Sequence, residues 1–467
     1  MIDHFPPKIA NTAIYIYLGT LAAVSLLYRN FAMSWQFMAI GIMWVVLFFV
    51  GASQCSRRWA SLPERRFLLY ITLTAFLLRV AWVLFSYYFY IAKTGIPFEF
   101  ETADAVGYYE QGIGFSTLPI GEAFRILFLE SAGVSDSGYI FLLSLLSRIT
   151  GYYIIPARIV KSAFSAATLL FLYPLAKRNI GENGARIATT LACFMPNLIY
   201  YCGLHLKETI MIFCLIAFLD QADRVLRNAT LNVFNIVLAI FFAISLFTFR
   251  TVLGIAALFA FASALLFSDK AYVGKSRRII LIIWKALSLS ALSGGTILNE
   301  VEHTWQGRFE NQMQKRDYQV NSGYGWAKYA TGVTMAPLML FMPFPTMVDV
   351  DQQYNQQVVS GGNYVRNFFG GFVLLAIFSA LFVNKRWRSM VLIGAFTFIY
   401  LGIISLSGFA NSERFVLPAL PILLIMTAEG IQQLNAKNYR YIKWWYYIVP
   451  LMSLGWVFFK LGTRNLL

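Results

Sequence analysis

Residues 67–91, FLLYITLTAFLLRVAWVLFSYYFYI, form a 25-residue apolar run interrupted by one charge, Arg79. A helix of about 20 apolar residues crosses a hydrocarbon core of roughly 30 Å. The run therefore reads as a transmembrane helix. Arg65 and Arg66 precede it, and Glu99-Phe-Glu101-Thr-Ala-Asp104-Ala-Val-Gly-Tyr108-Tyr109 follows it. Basic loops are retained in the cytoplasm, so the carboxylates emerge on the opposite face.

Outward from this helix the same kind of run recurs. Candidate spans are 12–28, 36–52, 67–91, 156–176, 187–203, 208–222, 231–248, 251–268, 279–297, 367–383, 388–407, 414–431 and 444–461, about thirteen in all. Alternating them puts Arg57, Arg58, Arg65 and Arg66, then Lys177, Arg178 and Arg186, then Arg224 and Arg227, on one side. Lys270, Lys275, Arg277 and Arg278, then Lys385, Arg386 and Arg388, then Lys437, Arg440 and Lys443, fall on that side too. The expected fold class is an all-α polytopic membrane protein with a cytoplasmic N-terminus and an outer C-terminus.

Composition agrees. The chain is 58% hydrophobic and 13% charged, against roughly 25% charged in an average soluble protein, and its mean hydropathy is +0.62. A soluble globular enzyme, a disordered chain and a disulfide scaffold are excluded. The formal charge of +16 reads as cytoplasmic loops meeting anionic lipid headgroups, not as a nucleic-acid surface. Cys55, Cys193, Cys202 and Cys214 make no CxxC pair, and His4, His205 and His303 are scattered. The run 12–28 lacks a basic leader and a small-residue cleavage site, so it reads as a retained anchor. Asn228-Ala-Thr matches a glycosylation pattern, but it falls on the cytoplasmic side and reads as chance.

Two long loops, about 92–155 and 298–366, fall on the outer side and carry most of the acidic residues. Tyr139–Ile149 is too short to span and reads as an interfacial helix. Ala336–Met347, with three prolines, reads as re-entrant or interfacial. The chain divides into two N-terminal helices (1–66), a transmembrane core with the first outer loop (67–297), the second outer loop (298–366) and C-terminal helices (367–467).

Chemistry concentrates on the outer face. A carboxylate such as Asp104 or Glu101 can act there as general base or hold a divalent cation, magnesium or manganese; a solvated acidic loop is the ordinary alternative. His205-Leu-Lys207-Glu208 lies in the turn between spans five and six, Arg250 between spans seven and eight, and Arg414 at the start of span twelve. Cations at membrane depth either snorkel to headgroups or grip phosphate. Asp104, Lys207, Arg250 and Arg414 come from distant segments, yet topology places all four at one membrane face. That suits a substrate with a buried lipid tail, a phosphate at the surface and a group to be transferred above it.

At these residues the chain resembles the GT-C superfamily of integral-membrane glycosyltransferases. Its pattern is similar to bacterial relatives of protein O-mannosyltransferases and lipopolysaccharide sugar transferases. The resembling stretch runs from about Phe67 to Gln432. It comprises Asp104-Ala-Val-Gly-Tyr108-Tyr109, the Tyr139–Gly151 segment, Ala157-Arg158, Tyr173-Pro-Leu-Ala-Lys177, Pro196-Asn197-x-x-Tyr200 with Lys207-Glu208, and Glu413-Arg414-Phe-x-Leu-Pro418-x-x-Pro421. The resemblance implies an enzyme of the bacterial inner membrane. It would move a sugar with inversion from a polyprenyl-phosphate donor to a glycan, lipid or protein acceptor at the periplasmic face. It implies Asp104 as general base with Glu101 beside it. Lys207, Arg250 and Arg414 would hold the donor phosphate, and Tyr108, Tyr109, His205 and Glu208 would line the sugar and acceptor pocket. Metal use varies among such enzymes. The chain departs from the pattern in its two extra leading spans and in lacking a paired Asp-Asp or Asp-Glu in the first loop. Two alternatives stand beside this one: an O-antigen-type polymerase or ligase that works through arginines, and a flippase or transporter for lipid-linked sugars.

Overall fold

The computed structural model describes residues 2–131, 134–227, 232–268, 340–350, 353–406 and 413–462, with positions 314 and 338. The expected span 279–297, most of the second outer loop and Asn228 lie outside the described residues. The described chain is an all-α membrane protein. It has no β-strand; one isolated antiparallel bridge joins Ala32 to Val348.

In chain order the helices are α1 (Pro7–Leu27), α2 (Trp35–Trp59), α3 (Glu64–Thr94), α4 (Asp104–Ser116), α5 (Ile120–Arg125), α6 (Ser137–Thr150), α7 (Ile154–Phe194) and α8 (Pro196–Tyr200). Then follow α9 (Glu208–Arg227), α10 (Val233–Phe249), α11 (Thr251–Phe267), α12 (Tyr354–Val358), α13 (Ser360–Phe378), α14 (Val391–Leu406), α15 (Glu413–Gln432) and α16 (Ala436–Gly462). Helix α7 packs against α2, α3, α9 and α15, and α13 packs against α2, α15 and α16. A close approach uses Gly430 of α15, where a Cβ would collide with the Phe372 carbonyl of α13; small residues let membrane helices approach to backbone contact. Leu26, Leu69, Leu73, Phe241, Phe267 and Tyr447 point outward and exposed, as lipid-facing side chains do.

Six described helices are long and apolar enough to cross a membrane: α1, α2, α3, α7, α13 with its extension to Val383, and α15. This is fewer than the thirteen expected spans, for identifiable reasons. The spans expected at 231–248, 251–268 and 388–407 form apolar helices of only 17, 17 and 16 residues. Helix α9 ends in Asp220, Asp223, Arg224 and Arg227. The pair 156–176 and 187–203 forms two helices that meet at Gly181 (φ 80°, ψ 174°), a backbone region open essentially to glycine alone; with no loop between them they are taken together as α7.

The span expected at 187–203 is also interrupted. Pro196 cannot donate to the Ala192 carbonyl, and Met195 turns extended. Arg79, the lone charge of the apolar run 67–91 within α3, takes over the freed acceptors. Its Nη2 donates to Ala192 O at 3.3 Å, its Nη1 to Cys193 O at 3.1 Å, and its Nε to Ser165 Oγ at 2.6 Å. A buried cation is thus consumed by backbone carbonyls, and the chain beyond α8 is irregular to Lys207.

The described basic loops gather at one end of the bundle. Arg186 Nη1 donates to Trp59 O at 3.1 Å, and Arg178 Nε meets Asp223 Oδ2 at 2.5 Å. Arg178 Nη2 meets Asp220 Oδ1 at 2.6 Å, and Arg227 Nη2 donates to Ser389 O at 2.8 Å. Cations at helix C-termini suit the dipole. The N-terminus is at this same end, where Phe5 N–H donates to Ser56 Oγ at 3.0 Å. Helix α16 runs to the other end, where Lys460 Nζ reaches Gln356 Oε1 at 2.7 Å. The segment expected to be an interfacial helix is helical, as α6, and packs on α4 and α10. Of the expected re-entrant segment 336–347, residues 341–347 are buried and largely irregular, tied by Asn367 Nδ2 to Pro343 O at 3.0 Å.

Candidate functional site

At the end opposite the basic loops, one guanidinium joins three distant parts of the chain. Arg414 opens α15. Its Nη1 pairs with Asp104 Oδ2 at the start of α4, and its Nε pairs with Glu208 Oε1 at the start of α9. Both carboxylates occupy first turns of helices, where the dipole favours negative charge. Arg250 lies between α10 and α11, with its Nη2 3.7 Å from the same Glu208 oxygen and its guanidinium 4.6 Å from the Phe415 ring centre. Its Nη1 is buried and has no hydrogen-bond partner among the described residues.

Lys207 is turned away from this pair of arginines. Its Nζ pairs with Asp136 and donates to Phe249 O at 2.6 Å. Asp136 also accepts from Tyr108 OH at 3.0 Å. Lys207, Arg250 and Arg414 thus face Asp104, Asp136 and Glu208. An incoming anion meets a cluster already near neutrality and binds by displacing a carboxylate or by using Arg250 Nη1.

Beside Arg414 opens a polar cavity of about 330 Å³. The loop ahead of α4 contributes Glu99, Glu101, Thr102, Ala103 and Asp104; the irregular segment before α9 contributes Leu204 and Leu206; Asn355 and Gln356 of α12 and Glu413 complete the wall with Tyr200 and Tyr201. Two buried cations of α7 hold the walls in place. Arg158 Nη2 donates to Pro97 O at 2.6 Å, and Lys161 Nζ donates to Leu204 O at 2.5 Å. Asn355 Nδ2 donates to Phe100 O from the far side. Glu101 sits at φ 53°, a left-handed conformation that costs a non-glycine residue about 1–2 kcal/mol. Such outliers collect at working sites. Burial raises the Glu101 carboxyl, opposed by the Tyr354 backbone N–H.

The structure therefore brings Asp104, Glu101 and Arg414 to one cavity and sets Glu208 and Arg250 behind Arg414. Tyr108, Tyr109, His205, Lys207, Glu208 and Arg250 are not among the residues that line it. Tyr109 OH donates to Tyr152 O at 2.9 Å. His205 is packed among the rings of Phe98, Tyr109 and Tyr139. Burial, reinforced by Arg158 and Lys161, holds the imidazole pKa well below its ordinary value, so it is neutral. Burial also pushes the Tyr108 phenol up to about 12, helped by Glu208. Among the described residues no three His, Cys, Asp or Glu side chains are grouped to hold a metal ion.

Sequence reasoning did not single out Asp136 or Asn355, and it gave no wall role to Glu413, Arg158 or Lys161. Spacing carries a weak trace of the last: Arg158 and Lys161 are three apart on one helix face, in a run otherwise apolar. Compared with known proteins, the chain matches no known family, no curated protein and no solved structure.

Proposed function

We propose that this chain is an inverting glycosyltransferase of the GT-C type. It moves a sugar from a polyprenyl-phosphate donor to a glycan, lipid or protein acceptor at the non-cytosolic face of a bacterial inner membrane. The observation that supports this best is the Arg414 guanidinium, which bridges Asp104 and Glu208 at the edge of an acid-lined cavity. The orientation rests on the basic loops gathered at the other end and on the positive-inside rule.

In this reaction the bond between the anomeric carbon and the phosphate oxygen breaks, and the electron pair stays on the phosphate. The acceptor oxygen bonds to the anomeric carbon and loses its proton to a cavity carboxylate, the role the resemblance gives to Asp104. Arg250 and Arg414 offset the charge that grows on the departing phosphate. A bound magnesium or manganese ion would supply further charge stabilisation in such a site, and no step here requires one.

Broken helices and buried cations also occur along transporter pathways. Here Arg79, Arg158 and Lys161 are engaged by backbone carbonyls, which favours a static scaffold over a moving one. An arginine-dependent polymerase or ligase draws support from the unpartnered Arg250 Nη1.

The test is transfer by the purified protein in nanodiscs, using labelled polyprenyl-phosphate sugars, with Asp104→Asn beside wild type. Transfer that falls sharply in a folded variant supports the proposal. Activity in Asp104→Asn equal to wild type favours the polymerase or ligase, and no transfer from any donor removes the enzyme reading. Reporter tags that map residues 95–103 to the cytosol would also overturn it.

A further inference from the structure

Two carboxylates of the first outer loop face the same cavity in different states. Asp104 is ion-paired to Arg414, and its side chain is 57% exposed. One of its oxygens is thereby committed to the guanidinium. Glu99, five residues earlier, is only 6% exposed and lines the cavity. Its Oε2 is buried and has no hydrogen-bond partner among the described residues. A carboxylate with an oxygen that accepts from nothing is held by no fixed donor, and this one lines the cavity that a hydroxyl would enter.

We infer that Glu99, not Asp104, takes the acceptor's proton, and that Asp104 is a positioning residue that holds Arg414 toward the cavity. The inference rests on the transferase reading for the identity of the hydroxyl. In the step, the acceptor O–H bond breaks, its proton passes to the Glu99 carboxylate, and the oxygen forms the glycosidic bond as the phosphate departs. The electrostatic setting agrees with the geometry. Arg158 and Lys161 of α7 and Arg414 of α15 all favour the carboxylate, yet burial outweighs them and raises the Glu99 carboxyl above its ordinary value. The other titratable groups around it are Tyr90, Tyr139 and Tyr201, whose own ionisation the Glu99 charge opposes. A carboxyl raised above its ordinary value is a stronger base once ionised.

Two measurements on the full-length protein in nanodiscs test this. The first is the transfer rate against pH for wild type, Glu99→Gln and Asp104→Asn, each checked for folding by thermal denaturation. Wild type should gain rate with pH until Glu99 is ionised. Glu99→Gln should lose on the order of 10²–10⁴-fold and lose that limb, whereas Asp104→Asn should slow the reaction and keep it. A limb retained in Glu99→Gln, or lost only in Asp104→Asn, overturns the inference.

The second measurement needs no activity. Dicyclohexylcarbodiimide, an apolar reagent that attacks protonated carboxyls, should modify Glu99 in wild type, and peptide mass spectrometry should show the modification fading as pH rises. Absence of label at Glu99 under acidic and neutral conditions alike overturns the inference, and this arm survives a Glu99→Gln variant that does not fold. Label at Glu99 in a protein that transfers no sugar supports Glu99 as the cavity's proton site and places the failure in the transferase reading.

Discussion

Arg414 and Asp104 are 310 positions apart in the chain and share an ion pair at the cavity edge. The same guanidinium grips the fully buried Glu208. Arg414 is therefore both a wall of the site and the lock between α4, α9 and α15.

Removing that lock should cost more than activity. Arg414→Gln leaves Glu208 buried with Arg250 only at 3.7 Å, and breaking a buried pair by one partner costs about 3–5 kcal/mol. Glu208→Gln in the same chain should recover part of the loss, because no buried charge is then left unpaired. Thermal denaturation of the two singles and the double measures this coupling; strictly additive losses would show that the pair is not linked.

The pair on the other side of Arg414 is different in kind. With its side chain 57% exposed, Asp104 contributes at most about 1 kcal/mol to folding. Asp104→Asn should melt close to wild type while transfer drops. A large fall in Tm would mean that the loop depends on this pair for its structure.

The loop carrying His205 and Lys207 is seated by Gly203, where a Cβ would collide with Ser86 Oγ and come within 2.7 Å of Trp82 Nε1. Trp82 cannot yield easily, since its Nε1 donates to Tyr200 O at 3.1 Å. Gly203→Ala should destabilise the protein by about 1–3 kcal/mol and lower transfer by displacing the cavity wall at Leu204 and Leu206. An unchanged Tm with unchanged transfer would show that the segment re-seats freely.

The raised Glu99 carboxyl also sets a slope in stability. Above its ordinary value near 4.5, the unfolded chain has released this proton while the folded chain keeps it. Stability from the neutral form is therefore present at acidic pH and fades as pH climbs through the folded value. Glu99→Gln removes the slope, so the variant should gain on wild type as pH rises. Parallel Tm curves for the two proteins across that window would contradict it.

At the far end of the bundle, Asp220 is fully buried and answers Arg178 at 2.6 Å and Arg224 at 3.0 Å. Asp220→Ala leaves Arg178 with Asp223 alone and should cost about 3 kcal/mol or more. The properties of the cavity, including carbodiimide labelling of Glu99, should stay as in wild type at temperatures where the variant is folded. Altered labelling there would reveal coupling between the two ends.

The sequence by itself determined that this chain lives in a bilayer, that its basic loops share one end and that its acidic loop lies at the other. Those properties follow from run length and charge order, which are local and additive along the chain. It also marked Asp104 and Arg414 as candidates. Which helices break was less legible: Gly181 and Pro196 were visible, but Arg79, placed to satisfy Ala192 and Cys193, was not. Only the tertiary structure decided that Lys207 turns to Asp136, that His205 is sealed among aromatic rings, and that Glu99 rather than a more exposed neighbour keeps an unpartnered oxygen beside the cavity. These outcomes depend on which side chains meet across α4, α7, α9 and α15. A pairing of that kind carries no periodicity, because its partners are set by packing in space and not by spacing along the chain.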